Sequence, residues 1–115
     1  MPERNYLLFI KDIQTSSVKI IKYTKEFSRK EFFKDDKTFD AVMRNLQIIG
    51  EAVKHVPASF RMKHKNIEWK KVSGLRDIVV HEYFGINPDI VWDVIENKIP
   101  ELNREIKKIL KEYKK

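Results

Sequence analysis

Apolar residues recur every three or four positions along most of the chain, and this spacing constrains the fold more than any other feature. The clearest stripe lies in the middle of the chain: Phe39, Val42, Met43, Leu46, Ile49, Val53 and Val56. This spacing collects apolar side chains on one face of an α-helix, whereas a half-buried strand requires strict alternation. Because no alternating stretch of useful length occurs, we predict an all-α fold.

Capping residues mark where the first helices begin. A first amphipathic helix is predicted over residues 4–27. Ser28 and Glu31 have capping-box spacing and predict a short helical turn directly after it. Asp35 or Asp36 then caps a second long helix, which carries the central apolar stripe.

The second half of the chain is divided by prolines and glycines. Periodicity fades over residues 57–68, where we predict a basic loop. A third helix is predicted over residues 69–83 and is closed by Gly85. Asn87 followed by proline opens a fourth helix, and Pro100 either kinks that helix or starts a fifth. The expected architecture is an antiparallel bundle of four to five helices.

Length and composition limit the functions available to this bundle. The 115 residues suffice for one core and predict a single domain over residues 1–115, so a larger site requires a partner subunit. The chain has no cysteine and three glycines, which argues against disulfides, thiolate sites and glycine-rich phosphate loops. No apolar run is long enough to span a membrane. We therefore expect a cytoplasmic protein without a cofactor.

The net charge of +7 is unevenly distributed. Residues 54–71 contain six basic residues against one acidic residue. These six are the candidate RNA-binding residues: Lys54, Arg61, Lys63, Lys65, Lys70 and Lys71. A basic surface attracts phosphate backbones through counterion release. The alternative is that lysine-rich segments are simply well solvated.

The third helix carries the residues with the clearest catalytic chemistry. Asp77 lies four residues before His81, so its carboxylate can accept a hydrogen bond from the imidazole and fix the tautomer. Arg76 and His81 are five residues apart, which separates them by roughly 140° on a straight helix. They converge on one phosphate only if the helix end unwinds or a second copy of the chain faces the first.

Metal-free RNA cleavage requires groups that transfer protons and a cation that stabilises the charged phosphorane. Histidine serves for proton transfer and arginine for phosphate binding, so Arg76, His81 and Tyr83 form an adequate set. In the alternative interpretation Arg76 is solvated, His81 caps the helix end and Tyr83 packs. Glu51 is interpreted as a partly buried structural acid. The spacing of His55 and His64 argues against a metal site.

The spacing Arg76-x4-His81-x-Tyr83 resembles the R-x4-H-x-Y motif of the HEPN superfamily, specifically of the HepT toxins paired with MNT nucleotidyltransferase antitoxins. Five flanking segments are also similar to that family: residues 48–52, 67–69, 74–76, 83–86 and 91–102. The similarity extends from Thr38 to about Ile109.

This resemblance implies a metal-independent endoribonuclease toxin that acts as a homodimer, with Arg76 and His81 as the catalytic pair in the dimer cleft. Asp77 and Tyr83 support them, although the family usually has another polar residue, often asparagine, in place of Asp77. Tyr83 corresponds to the position that MNT antitoxins modify with AMP. Two other functions remain open: a non-catalytic partner or adaptor subunit of a nucleotidyltransferase, and sequence-independent RNA binding through residues 54–71.

Overall fold

The computed structural model describes residues 5–82 and 87–113, with side chains at 6–79 and 87–113. Four of the helices have at least eight residues: α1 (Asn5–Thr24), α3 (Asp36–Val53), α6 (Leu75–Glu82) and α8 (Ile99–Glu112). The others are short: α2 (Arg29–Lys34), α4 (Ala58–Lys63), α5 (Trp69–Ser73), α7 (Pro88–Asp93) and a π-helical turn (Val94–Lys98). These described ranges contain no strand, and the predicted all-α fold is confirmed.

The core lies where the long helices meet. α1 packs against both α3 and α8, and α3 also packs against α5 and α6. Fully buried aliphatic side chains from α1, α3 and α8 share this core, among them Ile13, Ile49 and Ile106. Burial of such side chains is the main stabilising term in a helical bundle. Among the described helices, none is long and apolar enough to cross a membrane.

The predicted caps are present. The N–H of Glu31 donates to the Ser28 hydroxyl (3.2 Å) and the N–H of Ser28 donates to the Glu31 carboxylate (2.9 Å), which completes the capping box. Of the two candidates for the next cap, Asp35 is the residue used, because its carboxylate accepts from the N–H of Thr38 at 3.2 Å. Asn87 caps α7 as predicted.

Three predicted boundaries are wrong. The first helix ends at Thr24 rather than at residue 27, and the Thr24 hydroxyl donates to the Ile20 carbonyl at 2.8 Å. The predicted loop contains α4, because Phe60 buries its ring in the core and anchors one helical turn there. The predicted third helix is divided at Gly74, whose N–H returns to the carbonyls of Lys70 and Lys71 and closes α5. Gly85, the predicted end of that helix, lies outside the described residues.

Pro100 is located where a further helix, α8, begins, which is the second of the two alternatives predicted from the sequence. It lies in the first turn of α8, directly after the π-helical turn. Proline has no N–H to donate to the carbonyl four residues earlier. The N–H of Ile99 reaches back instead to the Val94 carbonyl, a five-residue step that widens the helix there. The π-helical turn therefore joins α7 to α8.

The capping box leads to a stability prediction. Replacing Ser28 by alanine is expected to destabilise the protein by about 1 kcal/mol, measured as a lower urea midpoint. The N–H of Ser28, and secondarily its hydroxyl, lowers the pKa of Glu31 below its ordinary value of 4.5. Because the pKa of Glu31 is lower in the folded state, its ionised carboxylate stabilises the fold above pH 4.5. This stabilisation is lost as the pH falls through the lowered pKa. An unchanged midpoint in Ser28→Ala at pH 7 would contradict this prediction.

Candidate functional site

Arg76 lies at the start of α6, on the side that faces α3. Its Nη1 is 2.8 Å from Oε1 of Glu51, a residue of α3. The two side chains are 45% and 44% exposed, so water screens the pair and its contribution to stability is small. The ion pair mainly orients the Arg76 guanidinium, which it holds at the protein surface. Because the pair uses Nη1, other N–H donors of the guanidinium stay available for a phosphate.

The close approach of α3 and α6 depends on Gly50. A Cβ atom at this position would lie 3.0 Å from the backbone nitrogen of Arg76, 3.1 Å from the Arg76 Cβ and 3.3 Å from the Ser73 carbonyl oxygen. Such distances are at or below the lower limit of ordinary van der Waals contact. Because Gly50 has no side chain, α3 and α6 lie close enough for Glu51 to reach Arg76.

The Glu51 carboxylate and its two ion-pair partners together carry one excess positive charge. Lys54 Nζ lies 3.8 Å from the Glu51 oxygen that pairs with Arg76, so one carboxylate lies between two cations. Glu51 is partly buried, as predicted, with 44% of its side chain exposed. Its partner is the candidate catalytic arginine, which the sequence did not indicate.

The backbone of α6 separates the two motif positions as helical geometry requires. The helix continues through Glu82, so the end of α6 does not unwind before position 81. Positions 76 and 81 are therefore roughly 140° apart around the axis. Asp77 is exposed and lies opposite the buried stripe of Leu75 and Val79. The His81 side chain and the whole of Tyr83 lie outside the described residues, so the proposed Asp77–His81 hydrogen bond stays a prediction.

The basic stretch divides into residues with and without internal partners. Lys71 pairs with Glu68 at 3.0 Å, and Lys54 pairs with Glu51. Lys63, Lys65 and Lys70 are exposed and form no ion pair with any other described residue. These lysines are positioned in solvent, where either a polyanion or water can contact them.

Arg61 differs from the other candidate RNA-binding residues. Its Nη2 donates to the Val53 carbonyl at 2.6 Å and its Nε donates to the Val56 carbonyl at 3.1 Å. The Val53 carbonyl is at the last residue of α3 and also accepts the N–H of Val56 at 3.0 Å, and the Val56 carbonyl lies in the turn that follows α3. Arg61 therefore caps α3, a structural role that the basic spacing of residues 54–71 does not reveal.

We expect Arg61→Met to lower the free energy of unfolding by about 1–3 kcal/mol, because two carbonyls lose a charged donor. Lys63→Met is the matched control, since Lys63 is exposed and makes no ion pair within the described residues. Urea titrations of both variants provide the measurement. Equal midpoints for the two variants would show that Arg61 does not stabilise the end of α3.

Both tryptophans have aromatic packing partners. Trp69 donates its indole N–H to the His64 carbonyl at 2.9 Å and packs edge-on against Phe60. Trp92 packs beside Phe32 in a different aromatic cluster. The two tryptophans thus pack in separate parts of the core. Within the described ranges, no three His, Asp or Glu side chains are grouped to hold a metal.

The structure also brings together residues that sequence analysis did not combine. A cavity of about 270 Å³, here called the α1–α3 groove, opens between these two helices. Its lining consists of Phe9, Asp12, Arg44, Gln47, Ile48, Glu51, Ala52 and His55. Positions 44, 47, 51 and 55 fit one face of a helix, which is the sequence signal for this groove. Phe9 and Asp12, the lining residues from α1, are not marked by a comparable spacing in the sequence.

Together these features define a small all-α protein with a candidate phosphate-binding arginine on its surface. The chain belongs to the HepT-like ribonuclease family: the family described as ribonuclease HepT-like matches residues 13–109. The resemblance and the enzyme class predicted from the sequence, a ribonuclease, are confirmed at the level of the family. No solved structure matches the chain significantly.

Similar proteins occur in archaea and bacteria. A candidate RNase of Methanocaldococcus jannaschii is 43% identical over 112 residues, which cover 97% of this chain and 93% of the relative. A candidate RNase of Caldanaerobacter subterraneus subsp. tengcongensis is 45% identical over 95 residues, or 83% of this chain and 85% of the relative. A probable ribonuclease HepT of Thermococcus cleftensis is 34% identical over 109 residues, or 95% and 99%.

Proposed function

We propose that this chain, as a single domain over residues 1–115, is a metal-independent endoribonuclease toxin with Arg76 and His81 as its catalytic pair. The observation that carries the proposal is the Arg76 guanidinium, held at the protein surface by Glu51 at 2.8 Å. It lies on the same helix as position 81 in a chain that belongs to a ribonuclease family.

In the proposed reaction the ribose 2′-oxygen attacks the adjacent phosphorus and the 5′-oxygen leaves. His81 takes part in proton transfer, because an imidazole exchanges protons near neutral pH. Arg76 stabilises the extra negative charge that develops on the phosphorane. Asp77, one turn before His81, orients the imidazole. The products are a 2′,3′-cyclic phosphate and a free 5′-hydroxyl.

The site is proposed to lie in the cleft of a homodimer. Positions 76 and 81 are roughly 140° apart on an α6 that stays helical through Glu82. One helix therefore directs the two side chains to different sides. A two-fold axis near α6 would place Arg76 of one subunit beside His81 of the other.

RNA is proposed to be held by the basic stretch around this cleft. The candidates are Lys54, Lys63, Lys65, Lys70 and Lys71, with Arg61 contributing charge in addition to its capping role. The segment that carries the catalytic pair, residues 72–103, has two basic and six acidic residues. Affinity would then depend on the surrounding lysines, and therefore on salt.

Regulation is proposed to come from an MNT nucleotidyltransferase antitoxin that attaches AMP to Tyr83. Tyr83 is two residues after His81, so added phosphates would repel the RNA backbone and cover the site. This step rests on the motif resemblance and on the family to which the chain belongs. Tyr83 itself lies outside the described residues.

The test is incubation of purified wild-type protein with RNA in excess EDTA. Cleavage that leaves 2′,3′-cyclic phosphate ends is expected, and RNA that stays intact would contradict the proposed reaction. Intact RNA together with tight binding to a nucleotidyltransferase would identify an adaptor subunit instead. Cleavage that requires an added divalent metal would exclude the proposed mechanism.

A further inference from the structure

The α1–α3 groove has a composition that suits a nucleobase. On one side the rings of Phe9 and His55 are stacked, with centroids 4.3 Å apart and planes inclined by 13°. His55 is exposed and covers one face of Phe9, so a planar ligand can stack on the imidazole in turn. Unpaired bases in RNA are commonly recognised by stacking on aromatic side chains, histidine included.

Polar side chains surround this stacked pair. Arg44 and Gln47 are exposed in the groove, and neither side chain forms an ion pair or hydrogen bond with another described residue. Asp12 adds a carboxylate from α1. A base edge presents both donors and acceptors, and this set offers both kinds of partner.

The groove is adjacent to the candidate catalytic arginine. Glu51 lines the groove and also pairs with Arg76 at 2.8 Å, so a single side chain separates the two. The volume of about 270 Å³ lies just below the range typical of pockets for drug-sized ligands, which begins at about 300 Å³. A space of this size suits one base rather than a longer stretch of RNA.

We infer that the α1–α3 groove binds one nucleobase of the RNA, stacked on His55, next to the phosphate that Arg76 contacts. This inference rests on the proposed ribonuclease function and adds a base-binding site to it. The base positions the scissile phosphate, and the lysines of residues 54–71 bind the flanking backbone. His55 contributes a flat surface and takes no part in the reaction.

The test measures binding of a fluorescein-labelled 2′-O-methyl RNA 12-mer, which lacks the attacking hydroxyl, by fluorescence anisotropy. The measurement is made at pH 8.5, where an ordinary imidazole is neutral. His55→Leu is expected to raise Kd about tenfold, since one stacked base is lost. His55→Phe keeps a stacking surface and is expected to bind like the wild type.

Salt dependence separates stacking from phosphate binding. His55→Leu should leave the slope of log Kd against log salt unchanged, whereas the control Lys65→Ala should reduce that slope by about one. An unchanged affinity in His55→Leu, or a reduced salt slope, overturns the inference. Loss of the dimer in His55→Leu, measured by sedimentation, also overturns the inference, because the groove would then be a contact between subunits.

A parallel cleavage assay in EDTA keeps this inference separate from the proposed function. If the wild type does not cut RNA, the proposed reaction is contradicted. The base-binding site is contradicted as well only if His55→Leu binds the 12-mer as tightly as the wild type. If the wild type cuts RNA and His55→Leu binds equally well, only the base-binding site is overturned. Reduced binding in His55→Leu with retention in His55→Phe supports the site.

Discussion

Replacing either Arg76 or His81 by alanine is expected to reduce RNA cleavage about a hundred- to ten-thousandfold, measured as the initial rate in EDTA. Arg76→Ala removes the cation that stabilises the phosphorane, and His81→Ala removes a proton-transfer group. Arg104→Ala is the matched control, because this arginine is exposed on α8 and makes no ion pair within the described residues. It should cleave RNA at the wild-type rate. Undiminished cleavage by the double variant would refute the assignment of both residues.

A mixture of the two inactive variants tests the shared cleft directly. If Arg76 of one subunit acts with His81 of the other, each heterodimer contains one intact site. Random exchange makes half of the dimers heterodimers, so the mixture should regain about one quarter of the wild-type rate. A mixture that stays inactive after subunit exchange would place both residues of each site in one subunit.

Gly50→Ala is expected to destabilise the protein by about 1–3 kcal/mol despite the better helix propensity of alanine. The new Cβ would lie 3.0 Å from the Arg76 nitrogen and 3.3 Å from the Ser73 carbonyl, both backbone atoms that cannot rotate away. Forcing the helices apart has the cost of overpacking, which outweighs the gain of about 1 kcal/mol from removing a helical glycine. Thermal or urea unfolding gives the measurement.

Gly74→Ala serves as the matched control for Gly50→Ala. Its added Cβ would meet the Lys71 carbonyl at 3.3 Å and its next neighbour at 3.6 Å, which is a looser environment. The same substitution should therefore cost less at Gly74 than at Gly50. If Gly50→Ala proved as stable as Gly74→Ala, the close approach would not limit the packing of α3 on α6.

Helix class and most helix starts could be predicted because their causes are local. The apolar stripe of α3 and the caps at Ser28 and Asp35 depend on residues within one or two turns. One error arose from a distant contact and another from a glycine within the predicted helix. Burial of Phe60 in the core creates α4 in a segment without helical periodicity, and Gly74 divides a helix that the apolar pattern treats as continuous.

In the candidate site, too, one part could be predicted from the sequence and another depends on tertiary contacts. Arg76 and His81 were predicted as a pair from their spacing and flanking residues, and this part needed only the sequence. The pairing of Arg76 with Glu51 joins positions 25 residues apart in the chain. No spacing rule connects them, because the contact exists only when α6 lies on α3 at Gly50.

The sequence by itself therefore determined the all-α class, most helix starts and the family with its candidate catalytic residues. Each of these follows from patterns that repeat within a few turns or from a short motif. Only the tertiary structure decided that Glu51 holds Arg76, that Arg61 caps α3 and that Phe9 and His55 stack in one groove. These contacts depend on how helices and the turns between them pack, which is set by core shape and by the missing side chain of Gly50.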